Sequence, residues 1–223
     1  MNGANANPSA SRCALLLVRH AHTEMAGRFC GHSDPPLSVT GMAQLAGLNN
    51  KIMCYPITHI FSSDLQRARQ TAEAIAQLRK LQVTCLDTLR ELALGSWEGL
   101  DWDQVVARDP EYAQRWLDNY PYIAAPGGEC FADFLQRVQR AMTAIAGGTQ
   151  DGCAVVVTHG GVIRTFLGSL TQTQGAMRDG NCDYASFRQV FCDAGEWRVT
   201  PDAFEDWIIG APRVTRDRSR VLP

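Results

Sequence analysis

The run Cys13-Ala14-Leu15-Leu16-Leu17-Val18 is apolar at every position and breaks off abruptly into Arg19-His20-Ala21-His22. A strand with one face in water alternates apolar and polar residues, whereas a continuous apolar run suits a strand buried on both faces. Strands of that kind sit in parallel sheets covered by helices, so helical segments must carry the chain back between them.

The remaining sequence has that alternation. A loop rich in Gly and Pro, through Gly31-His32-Ser33-Asp34-Pro35-Pro36, is followed by Thr40 as the N-cap of a helix reaching about Asn50. His59-Ile60-Phe61-Ser62 reads as a second strand. Ser63 or Asp64 then caps a helix to about Leu81, with Leu65, Ala68, Ala72 and Ile75 on its apolar face. Val83-Thr84-Cys85 is a short third strand. Phe131, Phe134, Leu135, Val138, Met142 and Ile145 form a helical stripe, Ala154 to Thr158 another buried strand, and Gly161 to Leu170 another helix. Strands near Ala185–Val190 and Trp197–Thr200 close the sheet. The expectation is a single α/β domain over residues 13–200, with a mainly parallel sheet flanked by helices.

Residues 89–128 have another character. They hold Trp97, Trp102 and Trp116, two short helical pieces starting near Asp101 and Glu111, and a Pro/Gly-rich stretch. They read as an excursion over the functional edge of the sheet, its tryptophans serving packing. Residues 1–12, rich in Asn, Ala and Ser, read as a flexible N-terminal tail. Residues 201–223 read as a C-terminal extension, exposed and mobile where four arginines surround Asp217.

Composition narrows the class of function. Of 223 residues, 45% are apolar and 20% charged, an ordinary soluble profile, and a net charge of −2 gives no pull toward nucleic acid or anionic membrane. No segment approaches the roughly 20 apolar residues of a membrane span. The eight cysteines include no CxxC pair and lie mostly in apolar contexts such as Cys13-Ala14-Leu15 and Cys153-Ala154-Val155. They read as free thiols of a reduced, cytoplasmic protein. The pattern leaves the oligomeric state open.

Three polar clusters follow three of the predicted strands: Arg19-His20, Ser62 to Arg67, and Thr158-His159-Gly160-Gly161. Ligands of open α/β sheets bind beyond the carboxyl ends of the strands. The fold therefore gathers Arg19, His20, Arg67 and His159 at one edge. Two guanidiniums and two imidazoles make a poor structural cluster and a good site for a dianion, because arginine donates in a fixed fork that fits phosphate oxygens. The helix start after Ser62-Ser63 is expected to add backbone donors.

These residues also carry a resemblance. Leu17-Val18-Arg19-His20, with Thr23 close behind, resembles the signature of the histidine phosphatase superfamily, the phosphoglycerate mutase-like group. Gly27-Arg28-Phe29-Cys30-Gly31, Asp34-x-Pro36-Leu37-Ser38 and Gly41 resemble the stretch that follows it. Ser62 to Thr71 is similar to the second arginine motif and Glu91-Leu92-Ala93-Leu94-Gly95-Ser96-Trp97-Glu98-Gly99 to the acid-residue motif. Gly127-Gly128-Glu129 is similar to a later motif, and Val157-Thr158-His159-Gly160-Gly161 to the second histidine motif. The motifs occur in family order from about residue 15 to 170.

The resemblance implies roles. His20 is the nucleophile that forms a phosphohistidine, and Arg19, Arg67, His159, Thr23 and Gly160 surround the phosphate. Glu91 serves as general acid and then as base toward water, with Glu98 as the competing carboxylate. His22, Cys30 and Gly31 are assigned to the substrate rim, and no metal or cofactor is implied. His32 is a rim contact or nothing, and His59 is structural. The chain departs from the family pattern at Ala21, His22 and Cys130, where Gly, an acidic residue and Ser are usual. Ala26 replaces an Asn and removes one phosphate-side hydrogen bond.

The acid motif looks like the alpha-ribazole phosphatase and broad-specificity branch. The leading expectation is thus a metal-independent phosphomonoesterase for a small phosphorylated metabolite, with no nucleic-acid or membrane partner. A phosphoglycerate mutase is the runner-up. Two further alternatives are a metallohydrolase built on the HxH spacing of His20 and His22, and a non-catalytic phosphate-binding protein.

Overall fold

The computed structural model describes residues 12–171 and 182–199. The expected tail, apart from Arg12, and the expected C-terminal extension lie outside the described residues. Six strands form one sheet: β1 (Arg12–Arg19), β2 (Ile57–Ser63), β3 (Val83–Leu86), β4 (Cys153–Thr158), β5 (Phe187–Asp193) and β6 (Glu196–Val199). Their order is β3-β2-β4-β1-β5-β6. Pairs β1/β4, β4/β2 and β2/β3 are parallel, while β5 runs antiparallel to both β1 and β6. The β5–β6 hairpin turns through Ala194 and Gly195, both at positive φ, the geometry that matches strand twist in a tight hairpin.

The apolar run predicted to be buried on both faces is central, and Ala14 to Val18 are completely buried. Side chains alternate across a strand, so β1 feeds two cores. Ala14, Leu16 and Val18 pack beneath α1 (Val39–Ile52) and α2 (Gln66–Arg79) with Leu48, Ile60, Ile75 and Val155. Leu15 and Leu17 pack beneath α5 (Phe131–Gly148) and α6 (Gly160–Thr171) with Phe134, Met142, Val156 and Phe166. Each such aliphatic or aromatic side chain stabilises the fold by about 1.5–3 kcal/mol through burial. Cys13 and Cys153 belong to these cores, where burial pushes their thiols up to about 11 and about 12. All eight cysteines are free. No helix among the described residues is long and apolar enough to cross a membrane.

The excursion carries α3 (Trp102–Arg108) and α4 (Pro110–Asn119) and has a small core of its own. Trp97 meets Trp116 edge-on at 5.1 Å, and Phe29 of the loop after β1 packs against Trp97, Trp102 and Trp116. The tryptophans are packing residues, as expected, and they fasten the excursion to the β1–α1 loop.

Several boundaries move. Ser38 caps α1 in place of Thr40, because its hydroxyl accepts from Gly41 N. Neither Ser63 nor Asp64 caps α2: Ser63 Oγ accepts from Leu65 N, Asp64 pairs with Arg90, and the helix starts at Gln66. It stops at Arg79 because Lys80 adopts a left-handed conformation. The fifth strand begins at Phe187, since Ala185, at φ 52°, is in a turn.

Candidate active site

Strands β1, β2 and β4 are adjacent and parallel, and Arg19 lies level with Thr158 and Ser62 with Val157. The residues that follow them therefore emerge at one edge. His20 and His159, each one position beyond its strand, place their ring centroids 5.1 Å apart. Arg67, in the first turn of α2, is 1% exposed. The four residues that the sequence predicts to converge do so.

His20 is fixed by its backbone N–H to Thr158 O at 2.9 Å, and its ring Nδ1 lies 2.8 Å from Ala21 O. A carbonyl only accepts, so Nδ1 holds the proton and Nε2 the lone pair. Burial, and then the positive charges of Arg67 and Arg19, push the His20 pKa well below the ordinary imidazole value. Burial does the same to His159, with Arg67, His20 and Arg19 adding to it. Both rings are thus neutral near pH 7.

The guanidiniums are positioned differently from one another. Arg19 donates from one terminal nitrogen to Cys182 O at 2.5 Å and lies 3.8 Å over the ring of Tyr184. Arg67 commits both terminal nitrogens to the loop after β1, reaching Ser33 O at 2.6 Å, Gly31 O at 2.7 Å and Cys30 O at 3.3 Å. Three of the five guanidinium N–H groups of Arg67 therefore hold the loop, and the other two, Nε–H among them, are not spent on it. Of the backbone donors at the start of α2, Gln66 N is bound to Asp34 and Leu65 N, at the cap, to Ser63. Arg19 Nε, Arg67 Nε and both ring nitrogens of His159 are buried with no protein partner among the described residues. Leaving such groups unpaired costs about 1–3 kcal/mol each, which an anionic ligand would recover.

The two candidate carboxylates separate cleanly. Glu91 accepts from Gly161 N at 2.8 Å and Leu92 N at 3.0 Å. A Cβ on Gly161 would collide with the Glu91 carboxylate, so this approach requires glycine. Glu98 accepts from the backbone N–H groups of Gly31, His32, Ser33 and Leu94 and from the Ser33 hydroxyl. Burial alone would raise its pKa, but these bonds prevail and hold it below the usual carboxylate value. Glu98 is a loop anchor.

The other predicted residues are placed as follows. Gly160 opens α6, and a Cβ there would come within 3.4 Å of Arg19 Nε. Thr23 is buried and its backbone bridges to Leu37. His22 is held by Gln44 and by Ser38 Oγ, 2.8 Å from its Nδ1. Cys30 is half-buried, and burial raises its thiol pKa, which opposes a nucleophilic role. Gly31 is buried against Leu92 O and Glu98. His32 is exposed and its Nε2 meets Glu91 O at 3.1 Å, while His59 is exposed and stacks on Phe61.

Tyr184 is the residue the sequence reading misses. Its ring lies 5.6 Å from that of His20 and 5.1 Å from that of His22, besides covering Arg19. It arrives through Arg19 N to Ser186 O and Ala185 N to His20 O, contacts that depend on the β5/β1 pairing. No local sequence signal reports that pairing. Among the described residues no group of three or more His, Cys, Asp or Glu is arranged to hold a metal ion, so the HxH pair lacks a third ligand.

The model of the histidine phosphatase superfamily (branch 1) matches residues 15–201. A Proteus mirabilis protein named a probable phosphoglycerate mutase, GpmB, is 32% identical over 174 residues, covering 75% of this chain and 81% of that protein. The adenosylcobalamin/alpha-ribazole phosphatase of Salmonella typhimurium is 29% identical over 158 residues, covering 70% and 78%. Bacillus stearothermophilus YhfR has a similar structure, with a TM-score of 0.79 at 26% identity over 84% of this chain and 95% of its own. Mycobacterial relatives 37% identical over 156 residues are longer, and the matched region is 43% of their length.

Proposed function

We propose that this chain, which belongs to the histidine phosphatase superfamily, is a phosphomonoesterase that needs no metal ion and works through a phosphohistidine on His20. The observation that carries the reading is the 2.8 Å contact of His20 Nδ1 with Ala21 O: a carbonyl only accepts, so the Nε2 lone pair is left free, in a pocket with four buried, unpartnered cationic or imidazole nitrogens.

In the first step Nε2 attacks phosphorus and the bond to the leaving oxygen breaks, while Glu91 delivers a proton to that oxygen. Arg19, Arg67 and His159 stabilise the phosphoryl oxygens as charge redistributes, with the two guanidiniums fixed in advance by the contacts described above. In the second step water attacks the phosphohistidine, Glu91 accepts the water proton, and the N–P bond breaks to release inorganic phosphate. Guanidinium charge takes the place that a divalent cation fills in other phosphoryl-transfer sites. The substrate is a small phosphorylated metabolite, and similarity to the Salmonella enzyme makes alpha-ribazole phosphate the first candidate. Mutase chemistry is the second reading, favoured by similarity to GpmB.

The test is turnover of a phosphomonoester panel containing alpha-ribazole phosphate and 3-phosphoglycerate after exhaustive EDTA treatment. Phosphate release that survives EDTA is expected. Isomerisation of 3-phosphoglycerate without phosphate release would establish the mutase. Activity lost to EDTA and restored by Zn²⁺ would establish a metallohydrolase, and no turnover at all a binding protein.

A further inference from the structure

Glu91 lies on a stretch with neither helix nor strand to hold it: a single 3-10 turn at Asp87–Leu89 precedes it, and residues 90–94 are irregular. A general acid must nevertheless be placed to within a fraction of an ångström, since a misplacement of about 1 Å costs on the order of 10² in rate. The geometry points to Arg137 and Glu129 as the positioning residues for Glu91, an assignment that rests on the reading of Glu91 as the acid.

Arg137 rises from the middle of α5 and gathers the carbonyls of this stretch. One terminal nitrogen donates to both Thr88 O and Arg90 O at 2.9 Å, and the other reaches Glu91 O at 3.3 Å. Carbonyl oxygens turned toward one cation cannot be supplied by a helix or sheet ladder here, so the guanidinium substitutes for one. Its own orientation is set by Glu129, which accepts from Nε at 3.0 Å and from a terminal nitrogen at 2.7 Å. That two-bond fork fixes the guanidinium plane in a way a lysine could not. Glu129 then completes the grip on the far side of Glu91. Its backbone N–H donates to Ala93 O at 3.0 Å, and its carboxylate accepts from Ala93 N at 3.4 Å. Arg137 and Glu129 are mostly shielded, with side chains 20% and 18% exposed, so the pair is less weakened by solvent than a surface bridge.

Other contacts fix the ends of the same stretch. Thr158 Oγ1 donates to Leu89 O at 2.7 Å beside His159, and Arg90 is forked onto Asp64. These anchors set where the segment starts. His32 also meets Glu91 O, and Glu98 holds Leu94 N beyond it. Among the described residues the Arg137–Glu129 pair grips the stretch on both sides of Glu91, and from there the carboxylate meets Gly161 N. Both arginines of the nearby cleft lined by His32, Asp87, Thr88, Arg90 and Arg137 are paired with carboxylates, Arg90 with Asp64 and Arg137 with Glu129.

The test uses pre-steady-state bursts of Arg137→Met with an alkyl phosphate and with nitrophenyl phosphate. An alkoxide needs the proton from Glu91, and a nitrophenolate does not. The alkyl burst should slow by about 10- to 100-fold while the nitrophenyl burst keeps its rate, and adding Glu91→Gln should slow the alkyl burst little further. Glu129→Gln keeps size and one acceptor, and should show the same leaving-group signature in weaker form. It decides the matter if Arg137→Met does not fold. Equal slowing of both bursts, no slowing, or a full additive loss in the double variant overturns the assignment. Glu91→Gln alone is the control: if it fails to discriminate between the leaving groups, the reading of Glu91 as acid fails, whatever Arg137 does.

Discussion

The imidazole of His20 donates a hydrogen bond from Nδ1 to the carbonyl of Ala21, its immediate neighbour, at 2.8 Å. A residue needs no distant partner to fix its tautomer when its own chain turns back on the ring. The turn is held in place because Ala21 N donates to Thr71 Oγ1 on α2. A small residue at position 21 fits this buried corner, where Ala21 is fully inaccessible. The replacement of the family glycine by alanine is accommodated.

Two neutral imidazoles buried in one pocket tie stability to pH. His20 is 6% and His159 0% exposed, and both have pKa values held well below the ordinary 6.5. The unfolded chain therefore binds protons that the folded one refuses, and stability must fall as pH drops below about 6.5 toward the lowered folded values. The slope reaches at most about 1.4 kcal/mol per pH unit for each histidine. Urea unfolding between pH 7 and 5 should show this decline, and His159→Gln should roughly halve it. A flat profile over that window would mean that the rings are protonated in the folded state.

Glu98 is predicted to matter for the loop and not for proton transfer. Glu98→Ala leaves donors on Gly31, His32, Ser33 and Leu94 without their acceptor and should cost on the order of 2–4 kcal/mol of stability. Thermal unfolding measures this directly. The ratio of alkyl to nitrophenyl phosphate burst rates should be unchanged, and a selective loss of the alkyl burst would transfer the acid role from Glu91 to Glu98.

Much of this site is legible in the sequence, and what is not has a physical cause. The apolar runs that end in Arg19-His20 and Thr158-His159 locate β1 and β4, and parallel pairing then brings the polar ends together. Glu91 is recognisable from its motif, but the hydrogen bonds that bind Glu98 into the loop, and so favour Glu91 over it, are seen only in the folded chain. The bonds from Arg67 to Ser33, Gly31 and Cys30 are equally invisible, because they depend on the path of the loop after β1. Tyr184 is hidden for a related reason: β5 enters antiparallel beside β1, far along the chain from the residues it covers.

Tyr184 should act through its ring. A guanidinium seated over an aromatic face gains roughly 0.5–2 kcal/mol, and Arg19 lies 3.8 Å over this one. Tyr184→Leu should therefore lower kcat/KM by roughly 3- to 30-fold for every phosphomonoester tested and weaken inhibition by inorganic phosphate. Tyr184→Phe keeps the ring and should stay close to the parent. If Phe and Leu lose equally, the hydroxyl and not the aromatic face is the working part.

The covalent step is the centre of the account, and rapid quench reaches it directly. Glu91→Gln protein mixed with phosphate-labelled nitrophenyl phosphate should accumulate label, since its burst persists while hydrolysis by water slows. The label should map to His20, resist base and be lost in acid. Label on Cys30, or no bound label in a single turnover whose chemistry is fast, would contradict a phosphohistidine mechanism.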